Sequence, residues 1–297
     1  NHKKKTKPAI SVLTPTWNRK NYLIKLADSL KQQTFQNFEW IVANDGSTDQ
    51  TDLFIKNISR ELSFSVTYIN SSLRVGKSKL DNLLMDKISG QYFLWCDSDD
   101  TLLPNALKNL YNLASSTTEK DEQDFLGVIA QNVNENGTSQ TFEKEKVPKN
   151  TQLLRYQQIK NLIKGDGTIL LKSNPIKHKR FLEVDFLITE SSLWEGVFDN
   201  MKFFLSPTIV KIMNRGAENS VSFGKKLLYC RGSAYCIATV ETSDHFNKHS
   251  FISKLKIAIN YWRYTIHGDL NYLDSKKMFE PIKKNFLYSL LYPFSYV

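Results

Sequence analysis

The chain has 297 residues, of which 41% are hydrophobic, 12% aromatic and 24% charged, a composition that excludes a disordered or fibrous protein. Forty Lys and Arg against 30 Asp and Glu give a net charge of +10 and a pI near 9.3, which favours anionic partners: nucleic acid, phosphorylated substrates or an acidic membrane surface. No apolar stretch is long enough to span a bilayer, and the basic start NHKKKTKP has no apolar core behind it, so it does not read as a secretion signal.

Ala9 to Trp17 is a β-rich run closed by Pro15, and Asn18 is placed to cap a helix through Leu30 with Leu23, Leu26 and Leu30 on one face. Phe38 to Val42 is a second strand that leaves through Asn44-Asp45-Gly46-Ser47. A helix toward Ile58 follows from Thr48 or Asp49. Phe64 to Ile69 is a third strand, Lys77 to Ile88 a third helix, and Gly90 its C-terminal cap. Strand and helix alternating in this rhythm predict right-handed crossovers and a parallel sheet. After Pro104 a helix carries Leu107, Leu110 and Leu113, and Phe125 to Val133 is a strand. Asn134 to Asn150 is polar and reads as a mobile loop. A short helix is expected at Leu153 to Ile163, a strand at Thr168 to Leu171, and a strand pair turning at Pro207 between Met201 and Asn214. Beyond Gly224, three helices are expected: Lys225 to Phe246, Ile252 to Ile266 and Lys276 to Leu291. The expected division is therefore a domain over 1–224 and a helical region over 225–297.

The chemistry concentrates in Gln91 to Asp100, QYFLWCDSDD. Its apolar run has no polar alternation, so it predicts a strand buried on both faces. Asp97, Asp99 and Asp100 at the end of such a strand repel one another unless a cation neutralises them. In open α/β sheets, ligands bind at the carboxyl ends of the strands. A hard divalent cation with a phosphate-bearing ligand accounts for the cluster. A solvated acidic turn whose Asp100 caps the next helix accounts for it as well. Cys96, Cys230 and Cys236 have no metal-ligand spacing and read as reduced, mostly buried thiols of a cytoplasmic protein. His245 and His249 have helix spacing but no third ligand, and read as a surface or packed pair.

Four local patterns stand in order: Thr14-Pro15-Thr16-Trp17-Asn18-Arg19, Asn44-Asp45-Gly46-Ser47-Thr48-Asp49, Gly76 through Asn82, and Asp97-Ser98-Asp99-Asp100. Together they resemble family 2 glycosyltransferases of the GT-A fold, strongly from Ala9 to Leu110 and more weakly from Phe181 to Ser222. The resemblance implies an α/β fold of the GT-A type, Rossmann-like, with a mostly parallel sheet flanked by helices and here a C-terminal helical extension. It implies a metal-dependent inverting transfer of a sugar from a nucleotide sugar, a UDP-sugar, with Mn²⁺ or Mg²⁺. The acceptor would be a hydroxyl of a glycan, a lipid-linked sugar or a protein in bacterial-type surface glycan or glycoconjugate synthesis.

The resemblance assigns roles residue by residue. Pro15 and Thr16, with Asn18 and Arg19 in the same turn, resemble the donor nucleoside contacts. Asp45 is placed to accept the imide N–H of uracil, which would reject a base lacking that donor. Asp97 and Ser98 resemble the ribose side of the site, and Asp99 the metal ligand that bridges both phosphates. The third pattern departs from the family: Leu80 and Asp81 precede Asn82 where a small residue and an Arg are usual. The missing cation would then come from Lys77 or Lys79. Glu190, in LITESS, resembles the base that takes the acceptor proton, with Glu195 as its understudy. Arg215, followed by Asn219, Ser220 and Ser222, resembles the segment that closes over the donor, where its guanidinium would meet a phosphate.

Two rival readings stand beside this one. Val75-Gly76-Lys77-Ser78 followed by Asp97 suggests a P-loop NTPase, but Ser71 stands where the first glycine of that loop is required. A non-catalytic scaffold for membrane or nucleic acid rests on the charge alone. With no recognition module in the sequence, nucleic acid is not an expected partner. At the C-terminus Met278, Ile282, Phe286 and Leu290 share a helix face beside Lys276, Lys277, Lys283 and Lys284. Such a stripe suits peripheral attachment to the anionic inner face of a membrane, or packing on the domain or on a partner subunit in an oligomer.

Overall fold

The structure is a computed structural model that describes residues 7–184, 188, 191–194, 197–214, 216, 226–241, 246–247, 249–279, 281, 288 and 291–292. The chain packs as two compact units, one of Asn1–Lys179 with Val197–Ala217 and one of Arg180–Gly196 with Glu218–Val297.

The first unit is built on a nine-stranded sheet. Its strands are β1 (Ile10–Thr16), β2 (Phe38–Asp45), β3 (Ser65–Ser71), β4 (Tyr92–Trp95), β5 (Thr101–Leu102), β6 (Phe125–Asn134), β7 (Gln152–Arg155), β8 (Thr168–Lys172) and β9 (Lys202–Met213). Helices α1 (Lys20–Lys31), α2 (Thr51–Ile58), α3 (Lys77–Asp86), α4 (Ala106–Ser115) and α5 (Tyr156–Ile159) connect them. The strand order is β3-β2-β1-β4-β8-β6-β9-β5, with β7 on β9. The first four strands are mutually parallel, while β8 joins β4 and β6 in antiparallel pairs.

Every residue of β1 and β2 is buried, as expected of strands covered on both faces. Helix α1 turns Leu23, Leu26, Ala27 and Leu30 onto the sheet. Together with Trp40, Val42, Leu94, Leu107 and Leu110 they form one core. This order positions a site. After β1 the chain steps to β2 on one side, while β4 flanks β1 on the other, so a crevice opens at the carboxyl ends of β1, β2 and β4. The β1–β4 ladder stops at Leu13 and Trp95, and the chain turns away through Asp97.

Several expectations from the sequence need correction. Asn18 does not cap α1. Its backbone is left-handed at φ 50°, and the Lys20 N–H is taken instead by Asp49 Oδ2 at 2.9 Å. Gly90 is not the cap of α3, which ends at Asp86 with Lys87 in helical conformation. Gly90 is required because a Cβ there would sit 2.7 Å from the backbone N of Ser11. Asp100 does not cap α4, since that helix starts at Ala106 and its cap position is Asn105. The polar stretch after Asn134 is pinned at Thr141: its hydroxyl accepts the Asn132 N–H at 2.9 Å and donates to the Asp166 carbonyl at 2.8 Å. Leu153 to Ile163 splits into β7 and the short α5, because Gln152 to Arg155 pair with β9. Pro207 makes a bulge, not a hairpin. Ala130 pairs with Ser206 and Gln131 with Ile209, so Pro207 and Thr208 are accommodated inside one strand.

The second unit is helical in its described parts: α6 (Ser191–Trp194), α7 (Lys226–Val240), α8 (Phe251–His267) and α9 (Tyr272–Met278). Its core is aromatic, with Phe246, Tyr261, Trp262, Phe279 and Tyr288 buried together. The Trp262 indole donates to the Tyr288 carbonyl at 2.9 Å, and the Tyr261 hydroxyl to the Ser275 carbonyl at 2.6 Å. Asn271 caps α9 by accepting the N–H groups of Leu273 and Asp274, so this helix begins earlier than expected. Met278 packs against the aromatic core; Ile282, Lys283, Lys284, Phe286 and Leu290 lie outside the described residues. His249 meets Glu241 at 3.1 Å, and His245 lies outside the described residues. Among the described residues no helix is long and apolar enough to cross a membrane.

Candidate active site

The crevice is assembled by two locked turns and one acidic one. Asn18 ties the first to the second: its N–H donates to Ser47 Oγ at 2.8 Å, and its Oδ1 accepts the Thr48 N–H at 2.7 Å. Asp49 completes the joint by accepting the Lys20 N–H and the Thr51 N–H and hydroxyl. Partial burial works against the Asp49 carboxylate, but these donors outweigh it and hold its pKa below the ordinary value. Gly46 sits at φ 69°, and a Cβ there would come within 2.8 Å of the Leu73 backbone, so the second turn needs glycine.

Asp45 ends β2 and is buried. Its Oδ1 accepts the N–H groups of Val75 at 2.6 Å and Gly76 at 3.2 Å. Its Oδ2 faces Arg74 Nε at 3.7 Å. The Arg74 guanidinium lies 3.8 Å from the centre of the Trp17 ring. Pro15 and Thr16 are buried at the end of β1, and Thr16 Oγ1 has no hydrogen-bond partner among the described residues.

Across the crevice, the turn after β4 carries the three carboxylates. Arg19 Nη1 meets Asp99 Oδ2 at 2.6 Å, with the two side chains only 8% and 15% exposed. Asp100 is nearly fully buried and meets Lys211 Nζ, on β9, at 2.7 Å. Burial pushes the Asp100 carboxyl up, and Asp97 and Asp99 act the same way against the pull of Lys211. Burial also opposes the Lys211 ammonium, but Asp100, with Cys96 and Asp97, outweighs it and holds that pKa above the ordinary lysine value. We read the pair as ionised, because the two groups are within ion-pair distance and each is the other's main attraction. Burial raises the Cys96 thiol well above its usual value, so it is a packed thiol and not a nucleophile. Among the described residues, Asp97 has no side-chain hydrogen bond or ion pair, and Ser98 is buried beside it.

The structure thus brings Pro15, Thr16, Asn18, Arg19, Asp45, Asp97, Ser98 and Asp99 to one end of the sheet. Lys77 opens α3 but is engaged one turn along by Asp81 at 2.8 Å. Asp81 also accepts the Trp95 indole N–H at 3.2 Å. Lys79 is exposed, and Asn82 is buried on α3. Glu190, Glu195, Arg215, Asn219, Ser220 and Ser222 lie outside the described residues. Arg74 and Lys211 escaped the sequence reading, and Trp17 stood in the first pattern with no role given. Arg74 and Trp17 stack across turns, which no local spacing reveals. Lys211 had a faint signal: it is the one charge in the apolar run of TIVKIM.

The donor set fits a hard divalent cation. Asp97 and Asp99 offer carboxylate oxygens, and among the described residues no group of three or more His, Cys, Asp or Glu could hold a metal ion. A Mg²⁺-type site is commonly made from one or two carboxylates plus the phosphates of the substrate. The geometry disfavours a P-loop, because the Gly76 N–H that would face phosphate is donated to Asp45.

The class that the fold defines is an α/β protein with a mixed sheet and a ligand crevice at the carboxyl ends of its parallel strands. The profile of glycosyl transferase family 2 matches residues 11–178, and the chain belongs to that family; it is a glycosyltransferase. It is similar to the GalNAc(5)-diNAcBac-PP-undecaprenol β-1,3-glucosyltransferase of Campylobacter jejuni, with 26% identity covering 73% of this chain and 68% of that one. It is also similar to the poly(ribitol-phosphate) β-N-acetylglucosaminyltransferase TarS of Staphylococcus aureus, with 32% identity over 56% of this chain but only 29% of TarS. Among solved structures, S. aureus TarS 1–349 in complex with UDP-GlcNAc superposes with a TM-score of 0.60 at 18% identity, over 86% of this chain and 72% of that one. A mannosyltransferase from Pyrobaculum calidifontis in complex with GDP-Man and Mn²⁺ gives 0.53 at 13% identity, over 98% of this chain and 86% of that one. Both likenesses support the GT-A fold.

Proposed function

We propose that the protein transfers a sugar, with inversion, from a UDP-sugar to a hydroxyl of a lipid-linked or polymeric glycan. The observation that carries this reading is the state of Asp45. Two backbone N–H groups fix one carboxylate oxygen, and the other, 3.7 Å from Arg74 Nε, is in position to accept a further hydrogen bond at the carboxyl end of β2. An imide N–H such as that of uracil matches this acceptor, and a pyrimidine with an acceptor at that position does not. The Asp97–Asp99 turn then takes the diphosphate side. Asp97 faces the ribose and Asp99 contributes to the cation site. A divalent ion bound there supplies charge stabilisation for the leaving diphosphate. Glu190 takes the acceptor proton as the sugar carbon is attacked. The names of the C. jejuni and S. aureus relatives, one acting on an undecaprenol-linked glycan and one on a ribitol-phosphate polymer, support such an acceptor. An acceptor anchored in lipid also suits peripheral attachment of the basic chain to an anionic membrane face through the region 225–297.

A panel of nucleotide sugars tests the reading. Thermal stabilisation and slow hydrolysis are expected for one or more UDP-sugars in the presence of Mn²⁺ or Mg²⁺. Stabilisation by cytidine or adenine nucleotides alone would overturn it.

A further inference from the structure

Arg19 and Asp99 are 80 residues apart in sequence, yet their side chains meet at 2.6 Å with little exposure. The guanidinium also lies 5.3 Å from the centre of the Tyr22 ring. Of the three carboxylates on the turn, Asp100 is committed to Lys211, and Asp97 has no side-chain partner among the described residues. The residue expected to bind a divalent ion is therefore the one that already holds an internal cation. A guanidinium at this distance uses one carboxylate oxygen and neutralises much of its charge. A metal arriving alone must share that single carboxylate with Arg19, so two cations crowd one anion.

We infer that Arg19 is a resident counter-cation that competes with the divalent metal for Asp99 and makes metal binding depend on the nucleotide diphosphate. The inference rests on the metal-dependent, UDP-sugar reading above and adds a positioning residue to it. The diphosphate brings its own negative charge. It accepts the guanidinium that leaves Asp99 and offers oxygens to the metal, so metal and nucleotide each raise the affinity of the other. Linkage makes the effect reciprocal: the factor by which UDP tightens Mn²⁺ equals the factor by which Mn²⁺ tightens UDP. Arg19 sets that factor because it opposes the state with metal and no nucleotide and favours the states that hold the diphosphate. Asp97, with no side-chain ion pair among the described residues, supplies no such coupling.

The test is Mn²⁺ binding to the full chain by calorimetry or by the loss of the free-ion electron paramagnetic resonance signal, with and without UDP. The wild-type protein is compared with Arg19→Gln and Arg19→Lys, each checked by its melting curve. A hydrogen bond between charged groups is strong enough that its removal should tighten Mn²⁺ alone by about tenfold to a hundredfold in Arg19→Gln. UDP without metal should bind more weakly, and the mutual enhancement should shrink. Arg19→Lys keeps the charge and should lie between the two. A folded Arg19→Gln protein with unchanged affinity for Mn²⁺ alone overturns this inference, while Mn²⁺–UDP binding by the wild-type protein leaves the metal reading standing. If Arg19→Gln does not fold, unchanged coupling in Arg19→Lys overturns it instead. A wild-type protein that binds no Mn²⁺ even with UDP overturns both.

Discussion

Changing Lys211 to Met removes one partner of a buried ion pair and keeps the apolar volume. Lys211 and Asp100 meet at 2.7 Å with side chains 8% and 4% exposed. Water therefore cannot replace the ammonium. Breaking such a pair leaves a buried carboxylate without a counter-charge and costs about 3–5 kcal/mol. For a unit of this size each kcal/mol lowers the melting temperature by about 2–4 °C, so the drop should be roughly 6–20 °C. The sign of the pH dependence follows from the two groups. The Lys211 pKa is raised by folding, so its contribution is complete below the unfolded lysine value and fades only as pH rises through the higher folded one. The wild-type pair should therefore be constant through neutral pH. In the Lys211→Met protein only Asp100 remains, and burial raises its pKa. Its penalty applies above the folded pKa and is relieved as pH falls through it. Denaturation curves of wild type, Lys211→Met, Asp100→Asn and the double variant at several pH values measure all of this. The double variant should recover much of the loss, because neither charge is left buried alone. A Lys211→Met protein within about 0.5 kcal/mol of wild type would refute the reasoning.

Three further outcomes follow from the site. Asp49→Ala removes the acceptor for the Lys20 and Thr51 N–H groups and should cost about 1–2 kcal/mol in urea denaturation. Because folding lowers the Asp49 pKa, its contribution is present above the unfolded carboxyl value and lost as pH falls through the folded one, so the variant should lose part of the wild-type acid transition. Gly46→Ala places a Cβ 2.8 Å from the Leu73 backbone at φ 69°, and should cost more than about 1 kcal/mol and weaken UDP binding, with the melting temperature and a UDP titration as readouts. Glu190→Gln should bind the donor near normally while turnover falls by about 10² or more; an active Glu190→Gln beside a dead Glu195→Gln would transfer the role of base to Glu195.

Much of this architecture is legible in the sequence for a physical reason. Strands β1, β2 and β4 are largely buried on both faces, so they show as mostly apolar runs, interrupted only by Ser11, Thr14 and Glu39, and they end in polar residues at Thr16, Asn44-Asp45 and Asp97. What escaped depends on contacts distant in sequence. Asn18 looks like a helix cap because its neighbours are helical, yet a partner 30 residues away claims its side chain. Pro207 looks like a turn because proline usually leaves a ladder, yet β6 and β7 hold both sides of β9 and absorb it as a bulge. The polar composition of 134–150 hides one buried threonine that fixes it to β6. Asp97 and Asp99 could be picked out as ligands from residue type and position alone. The internal cations of Asp99 and Asp100 could not, because Arg19 follows β1 and Lys211 lies on β9, both far in sequence from the turn.

The proposed function has a UDP-sugar handled at the acidic turn after β4. The most direct measurement is the rate of UDP-sugar hydrolysis in Mn²⁺ by wild type and by Asp99→Ala, with folding of both checked by melting curves. Wild type should hydrolyse the UDP-sugar measurably, and the variant should lose about 10² or more of that rate together with its metal-dependent UDP binding. Wild-type rates in a folded Asp99→Ala protein would contradict the proposed function.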